Sequence, residues 1–177
     1  MTAALKSELF APSQTSACLL VVDSVTQHTV GLIKLDKDAP KNLSCNVDSV
    51  IFTPTFRGTL HEKEAMFMTL AKLFSLGYRR ISFSCDSKDS ASKNVATSCC
   101  FTFEGDSLKD RIISFSSNDI VSSDSSNFAM LNSDWNSGAR SHLFSKIFGA
   151  KAEKADRAAR KDDEEMDERE SAVKKNK

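Results

Sequence analysis

The sequence predicts an α/β domain in which one helix links two parallel strands of a mixed sheet. Three observations lead there. Residues 17–25, 29–35 and 43–52 are short apolar or alternating runs of strand composition. Residues 62–76 repeat apolar side chains every three or four positions, the period of a helix with one buried face. That pattern stops at Gly77 and gives way to a strand-like run at 78–85. Helix, glycine and strand make a βαβ crossover, so the strands at Val50 and Ile81 should run parallel.

In chain order, residues 1–14 read as an irregular N-terminal segment punctuated by Pro12. Thr2 to Gln14, with Glu8 as the only acid, makes a poor transit peptide, the weaker alternative to an ordinary cytosolic start. Residues 17–25 (ACLLVVDSV) and 29–35 (TVGLIKL) form a hairpin around a polar turn, and the charged stretch 36–42 with Pro40 reads as a loop. Residues 43–52 alternate. Cys45, Val47, Ser49 and Ile51 face one way, and Asn46, Asp48, Val50 and Phe52 the other. Pro54, which has no N–H for a ladder, ends this strand. At the helix start Thr59 suits the N-cap, Glu62 would complete a capping box, and Gly77 suits the C′ position.

Residues 86–90 are a polar loop able to cap a second helix at 91–100. Residues 101–105 read as a short strand and 111–115 as another, the serine-rich 116–126 as a loop, and 127–131 as a last strand before Trp135. One domain over 15–136 is thus followed by a charged, partly helical or disordered tail at 137–177. From Lys146 onward large apolar residues are scarce, and acid–base pairs such as Glu153 with Arg157 recur at helical spacing.

The 177 residues, 40% of them apolar, are enough for that one domain and its tail. Lys and Arg number 24 and Asp and Glu 24, so no net charge argues for nucleic acid or an anionic membrane as partner. No apolar run approaches the roughly 20 residues that span a bilayer. The five cysteines, Cys18, Cys45, Cys85, Cys99 and Cys100, are odd in number and hold no C-x-x-C pair. Buried reduced thiols of a cytoplasmic protein are expected, with no disulfide framework and no metal. Cys85, Cys99 and Cys100 have no His at a spacing that suggests nucleophilic catalysis.

The chemistry concentrates at residues 50–65. A strand stops at Pro54, a turn with Arg57-Gly58-Thr59 follows, and a helix begins. A helix start carries free N–H groups and the positive end of a dipole, which suits an anion such as a phosphate. Arg57 and Gly58 are therefore candidate phosphate contacts, against the plainer reading of a surface turn. His61 is either a donor beside that phosphate, a base, or an exposed polar residue. Tyr78 and Trp135 read as packing residues.

These residues, in this order, resemble the GCN5-related N-acetyltransferase (GNAT) family, and within it the ribosomal-protein-acetyltransferase-like branch. The resemblance rests on Phe52-x-Pro54-x-x-Arg57-Gly58, Leu76-Gly77-Tyr78-Arg79-Arg80, Cys85-Asp86, Ser92, Phe101-Thr102-Phe103-Glu104-Gly105 and the run from Met130 to Trp135, spread over residues 17–135. It implies a mixed, strongly curved sheet with helices on both faces and acetyl-CoA in a wedge between two splayed strands. The pantetheine arm would pair with the strand at Ile51 and Phe52. The pyrophosphate would sit on the turn of Arg57, Gly58, Thr59, Leu60, His61 and Glu62, with Asp89 and Ser92 near the arm. The implied reaction is direct attack of an amine, on a small molecule or a protein N-terminus, upon the thioester.

The departures are specific. The family's turn keeps small residues where this chain has Leu60 and Glu62, and Glu62 would face like charge unless it turns away as a capping residue. Asp89 replaces an asparagine, and Asn46 a glutamate of the central strand. Asp48, two residues on and about 6–7 Å along the strand, is the candidate general base. The family's first strand and following two helices have no counterpart in residues 1–14, so a homodimer would be one way to complete the domain. The expectation is a shortened, divergent, acetyl-CoA-dependent N-acetyltransferase. The alternative is a catalytically inactive descendant serving as an interaction or assembly subunit, and a weaker third reading is an unrelated α/β binding module.

Overall fold

The computed structural model describes residues 15–116 and 119–149; the readings of residues 1–14 and of the tail beyond 149 lie outside them. The elements are β1 (Ala17–Val22), β2 (Thr29–Ala39), a 3-10 turn (Pro40–Asn42), β3 (Ser44–Phe52), α1 (Leu60–Ser75), β4 (Arg80–Asp86), α2 (Ser90–Ser98), β5 (Thr102–Ser116) and β6 (Asp119–Leu131). The six strands form one mixed sheet in the order β1-β2-β3-β4-β6-β5. Every neighbouring pair is antiparallel except β3 and β4, the pair joined through α1. The predicted crossover is therefore present, and the α+β fold class stands.

Local chemistry sets the boundaries. The first strand ends at Val22, three residues short of the predicted limit, because Asp23 turns the chain. Its Oδ1 accepts from the Val25 N–H at 3.1 Å, the Thr26 N–H at 2.7 Å and the Thr26 hydroxyl at 2.8 Å. β2 runs through most of the predicted 36–42 loop, with register shifts after Lys34 and Asp36 that absorb its irregular sequence. α1 buries Ala65, Met66, Leu70, Leu73 and Phe74, the stripe its spacing predicts. Val47, Ile81, Phe83, Phe128 and Met130 of the sheet are also at most 5% exposed. Each large side chain so buried contributes about 1.5–3 kcal/mol. Trp135 closes one end of the core, stacked on Phe74 at 5.3 Å and tilted against Phe67 at 5.6 Å.

The last two strands correct the sequence reading. The predicted strands at 101–105 and 111–115 belong to one long strand, β5, bent by register shifts around Gly105 (φ +140°) and Lys109 (φ +51°). The predicted serine-rich loop is mostly strand: β6 begins at Asp119 and lies between β4 and β5. Several of its polar side chains find partners across the sheet. Ser126 donates to Asp106 at 2.6 Å, Asn127 donates to Ser107 at 2.9 Å, and Ser84 donates to Asn127 at 2.9 Å. Two-sided pairing supplies the stability that serine composition does not.

After β6 the chain continues as short helical turns, including Arg140–Phe144 and Ser145–Gly149. The described residues 141–149 belong to a second unit, in which the rings of Phe144 and Phe148 lie 4.5 Å apart.

Candidate functional site

The parallel ladder between β3 and β4 runs only from Ser44↔Arg80 to Val47↔Phe83. Beyond it β3 continues to Phe52, paired on its other edge with β2, while β4 continues to Asp86, paired with β6. The two strands thus part, and a cleft of about 660 Å³ opens between them. Asp48, Ser49, Val50 and Ile51 line one wall, and Phe83, Ser84, Cys85 and Asp86 the other. The turn before α1 and its first residues add Arg57, Gly58, Glu62 and Lys63. The start of α2 adds Asp89 and Ser92, and β5 reaches over with Arg111.

The turn into α1 is held by its own backbone. Thr53 donates to the Val30 carbonyl at 2.9 Å, and the Thr53 carbonyl accepts from Phe56 at 2.9 Å and Arg57 at 3.0 Å. Gly58 has φ +71°, the left-handed region that favours glycine. Its N–H donates to Glu62 Oε2 at 2.6 Å, and Glu62 is only 5% exposed. This corrects the predicted capping box. Thr59 makes no side-chain cap and instead donates its hydroxyl to the Phe56 carbonyl at 2.7 Å, while Glu62 reaches past the N-cap to Gly58. A buried carboxylate is tolerated there because it lies at the positive end of α1 and makes a charge-assisted bond.

On the opposite side Asp89 caps α2. Its Oδ1 accepts from the Ala91 and Ser92 N–H groups, each at 3.1 Å, and its Oδ2 from the Ser92 hydroxyl at 2.6 Å. The Ser92 hydroxyl, followed by the Ser92 N–H, holds the Asp89 carboxyl below its ordinary value, and nearby Arg57 adds to this. Asp86 is likewise lowered, chiefly by the Lys88 N–H at 2.8 Å. Burial pushes the Cys85 thiol up, so it remains protonated and a poor nucleophile.

Asp48 faces the cleft with its carboxylate 3.4 Å from the Lys34 ammonium and accepting from the Ser49 hydroxyl at 3.2 Å. Asn46 is buried and engaged: it donates to Asp36 at 2.9 Å and accepts from Ser82 at 3.0 Å.

The structure thus gathers Asp48, Ile51, Arg57, Gly58, Glu62, Asp89 and Ser92 around one cleft. Phe52, Thr59, Leu60 and His61 do not line it. The Phe52 ring is buried over Gly31, and His61 lies beside Phe56, with ring centroids 4.9 Å apart, and 3.8 Å from Asp23. Sequence reasoning missed Lys63, Ser84 and Arg111. Lys63 follows Glu62 at the helix start and was within reach of a charge-based reading. Arg111 was not, because it arrives through the bulged register of β5.

A wedge between two parting strands, flanked by a helix start, in a mixed six-stranded sheet, defines a GNAT-like fold. Solved structures support this. A probable acetyltransferase of the GNAT family from Chromobacterium violaceum ATCC 12472 is 27% identical with a TM-score of 0.66, over 75% of this chain and 64% of that one. A GCN5-related N-acetyltransferase from Brucella melitensis is 21% identical with a TM-score of 0.72, over 82% and 65% of the two chains. The spermidine/spermine N-acetyltransferase SpeG from Vibrio cholerae is 16% identical with a TM-score of 0.60, over 76% and 75%. The chain spans less than two thirds of the length of the first two of these. No protein-family model matches the sequence, and no curated protein matches it.

Proposed function

We propose that the protein is an acetyl-CoA-dependent N-acetyltransferase that acts in the cytoplasm on an amine acceptor and resembles the ribosomal-protein-acetyltransferase-like branch in motif order. The observation that carries this reading is the parting of β3 and β4 after Val47 and Phe83. It leaves the β3 edge from Asp48 to Ile51 facing a cleft instead of a ladder, and backbone groups of a strand edge suit the amides of a pantetheine arm. Arg57 at the same cleft suits a phosphate. Bound acetyl-CoA would supply the acyl thioester. Asp48 is the residue placed to take the proton released as the new C–N bond forms and the C–S bond breaks. Asp48, Asp86 and Asp89 give the cleft carboxylates that suit a cationic amine acceptor.

The test is thermal unfolding with and without the donor. Acetyl-CoA at a hundred times its Kd should stabilise the protein by about 2.7 kcal/mol. Arg57→Glu should abolish the shift. An unchanged melting temperature at millimolar acetyl-CoA would remove the cofactor from the reading.

A second reading is favoured by one specific contact, the Glu62 carboxylate on the Gly58 N–H. It takes an anion's place in the turn and suits a non-catalytic GNAT-fold subunit that binds other proteins. Acetyl transfer to polyamine, aminoglycoside and peptide panels separates the two, because turnover of any amine excludes the second.

A further inference from the structure

The turn before α1 borders the cleft with groups that the protein's own side chains already occupy. At the turn before α1 the N–H groups of Phe56 and Arg57 already donate to the Thr53 carbonyl, and that of Gly58 to Glu62 at 2.6 Å. The turn is therefore seated with an anion of its own. That anion is 5% exposed, so little water screens it, and it lines the same cleft as Arg57. A second anion arriving there meets a fixed negative charge and loses one backbone donor.

Resting on the reading of the cleft as an acyl-thioester site, we propose that Glu62 sets donor affinity at the diphosphate end: its carboxylate is an internal ligand of the Gly58 N–H that an incoming diphosphate must displace. The pantetheine arm is untouched by this competition. Wild-type protein should therefore gain less affinity from the nucleotide half of acetyl-CoA than Glu62→Ala gains, each measured against S-acetylpantetheine, which lacks the diphosphate.

The test measures Kd by calorimetry for acetyl-CoA and for S-acetylpantetheine in wild type, Glu62→Gln and Glu62→Ala. Acetyl-CoA should tighten at least about tenfold in Glu62→Ala, equivalent to about 1.4 kcal/mol. It should tighten less in Glu62→Gln, whose amide oxygen still accepts from Gly58 but carries no charge. S-acetylpantetheine should change by less than about twofold in both, since it brings no phosphate to the turn. Melting curves without ligand report whether each variant folds, and Glu62→Gln, which keeps the shape and the hydrogen bond, carries the test if the alanine variant does not. Acetyl-CoA affinity equal to or weaker than wild type in Glu62→Gln, with wild type binding the donor, overturns the role of Glu62 and leaves the thioester reading standing. Failure of both ligands to bind all three proteins overturns the thioester reading, and the role of Glu62 falls with it.

Discussion

Both carboxylate oxygens of Asp89 are engaged, one by two N–H groups of α2 and the other by the Ser92 hydroxyl, although the side chain also borders the cleft. Replacing it by alanine removes an N-cap, which typically costs about 1 kcal/mol of stability. Urea denaturation of Asp89→Ala at pH 7 should show a loss of that size. The pH dependence has a definite sign. The Ser92 hydroxyl above all holds the folded carboxyl below 3.8, so its contribution is present above that value and is lost as pH falls through the lower folded one. The gap between wild type and Asp89→Ala should thus be widest above about pH 5 and narrow as pH falls below 3.8. Asp48 is tested on activity instead: Asp48→Asn should lower kcat about a hundredfold or more with KM little changed, if it is the base. A cap within residues 86–90 was legible because polar residues ahead of an apolar stripe announce a helix start, but the sequence did not single out Asp89 for it. The partner of Glu62 was not. Capping-box spacing directs the side chain to Thr59, and only the left-handed backbone at Gly58 shows where it goes.

The elements that make the cleft depend on how closely β2 supports β3. Gly31 stands opposite Phe52 in the register, and a Cβ there would lie 2.7 Å from the Phe52 ring and 2.8 Å from the Ile51 carbonyl oxygen. The ring is free to turn aside alone, but the carbonyl belongs to the cleft wall and moves only with the strand. Gly31→Ala should therefore destabilise by about 1–3 kcal/mol, as overpacking does, and should weaken donor binding as well. Equilibrium denaturation and calorimetry check the two effects; a stability loss with donor affinity intact would mean that β3 does not move. The crossover from β3 through α1 to β4 was readable because an apolar stripe, a glycine and a second strand leave one handed connection. The β5–β6 hairpin was not. Its register shifts break the two-residue alternation, and its polar side chains are engaged by partners far along the chain, Ser126 by Asp106 and Asn127 by Ser84.

Across the molecule, ionisable groups bracket the pH range of stability from both sides. Asp23, Asp86 and Asp89 are held below 3.8 mainly by N–H and hydroxyl donors, and Glu104 below 4.5 by Arg80. Each favours the folded state above its ordinary value, and that advantage disappears as acid protonates the folded carboxylate. Asp89 and Glu104 are exposed and Asp23 and Asp86 half-buried, so the acid limb should be shallow and should flatten further with salt. The alkaline limb has a different origin. Burial raises the Cys85 thiol above 9.0 and pushes Cys99, which is 1% exposed, up to about 12. Between those values an unfolded chain has lost the Cys99 proton while the folded one keeps it, so rising pH favours unfolding by up to about 1.4 kcal/mol per pH unit. Calorimetric melting under reducing conditions should show a plateau from about pH 5 to 9 and a steeper fall above it. Cys99→Ala, which cannot ionise, should start from a lower plateau and fall less steeply between pH 9 and 11. Parallel curves for the two proteins in that interval would show that the buried thiol does not control the alkaline limb.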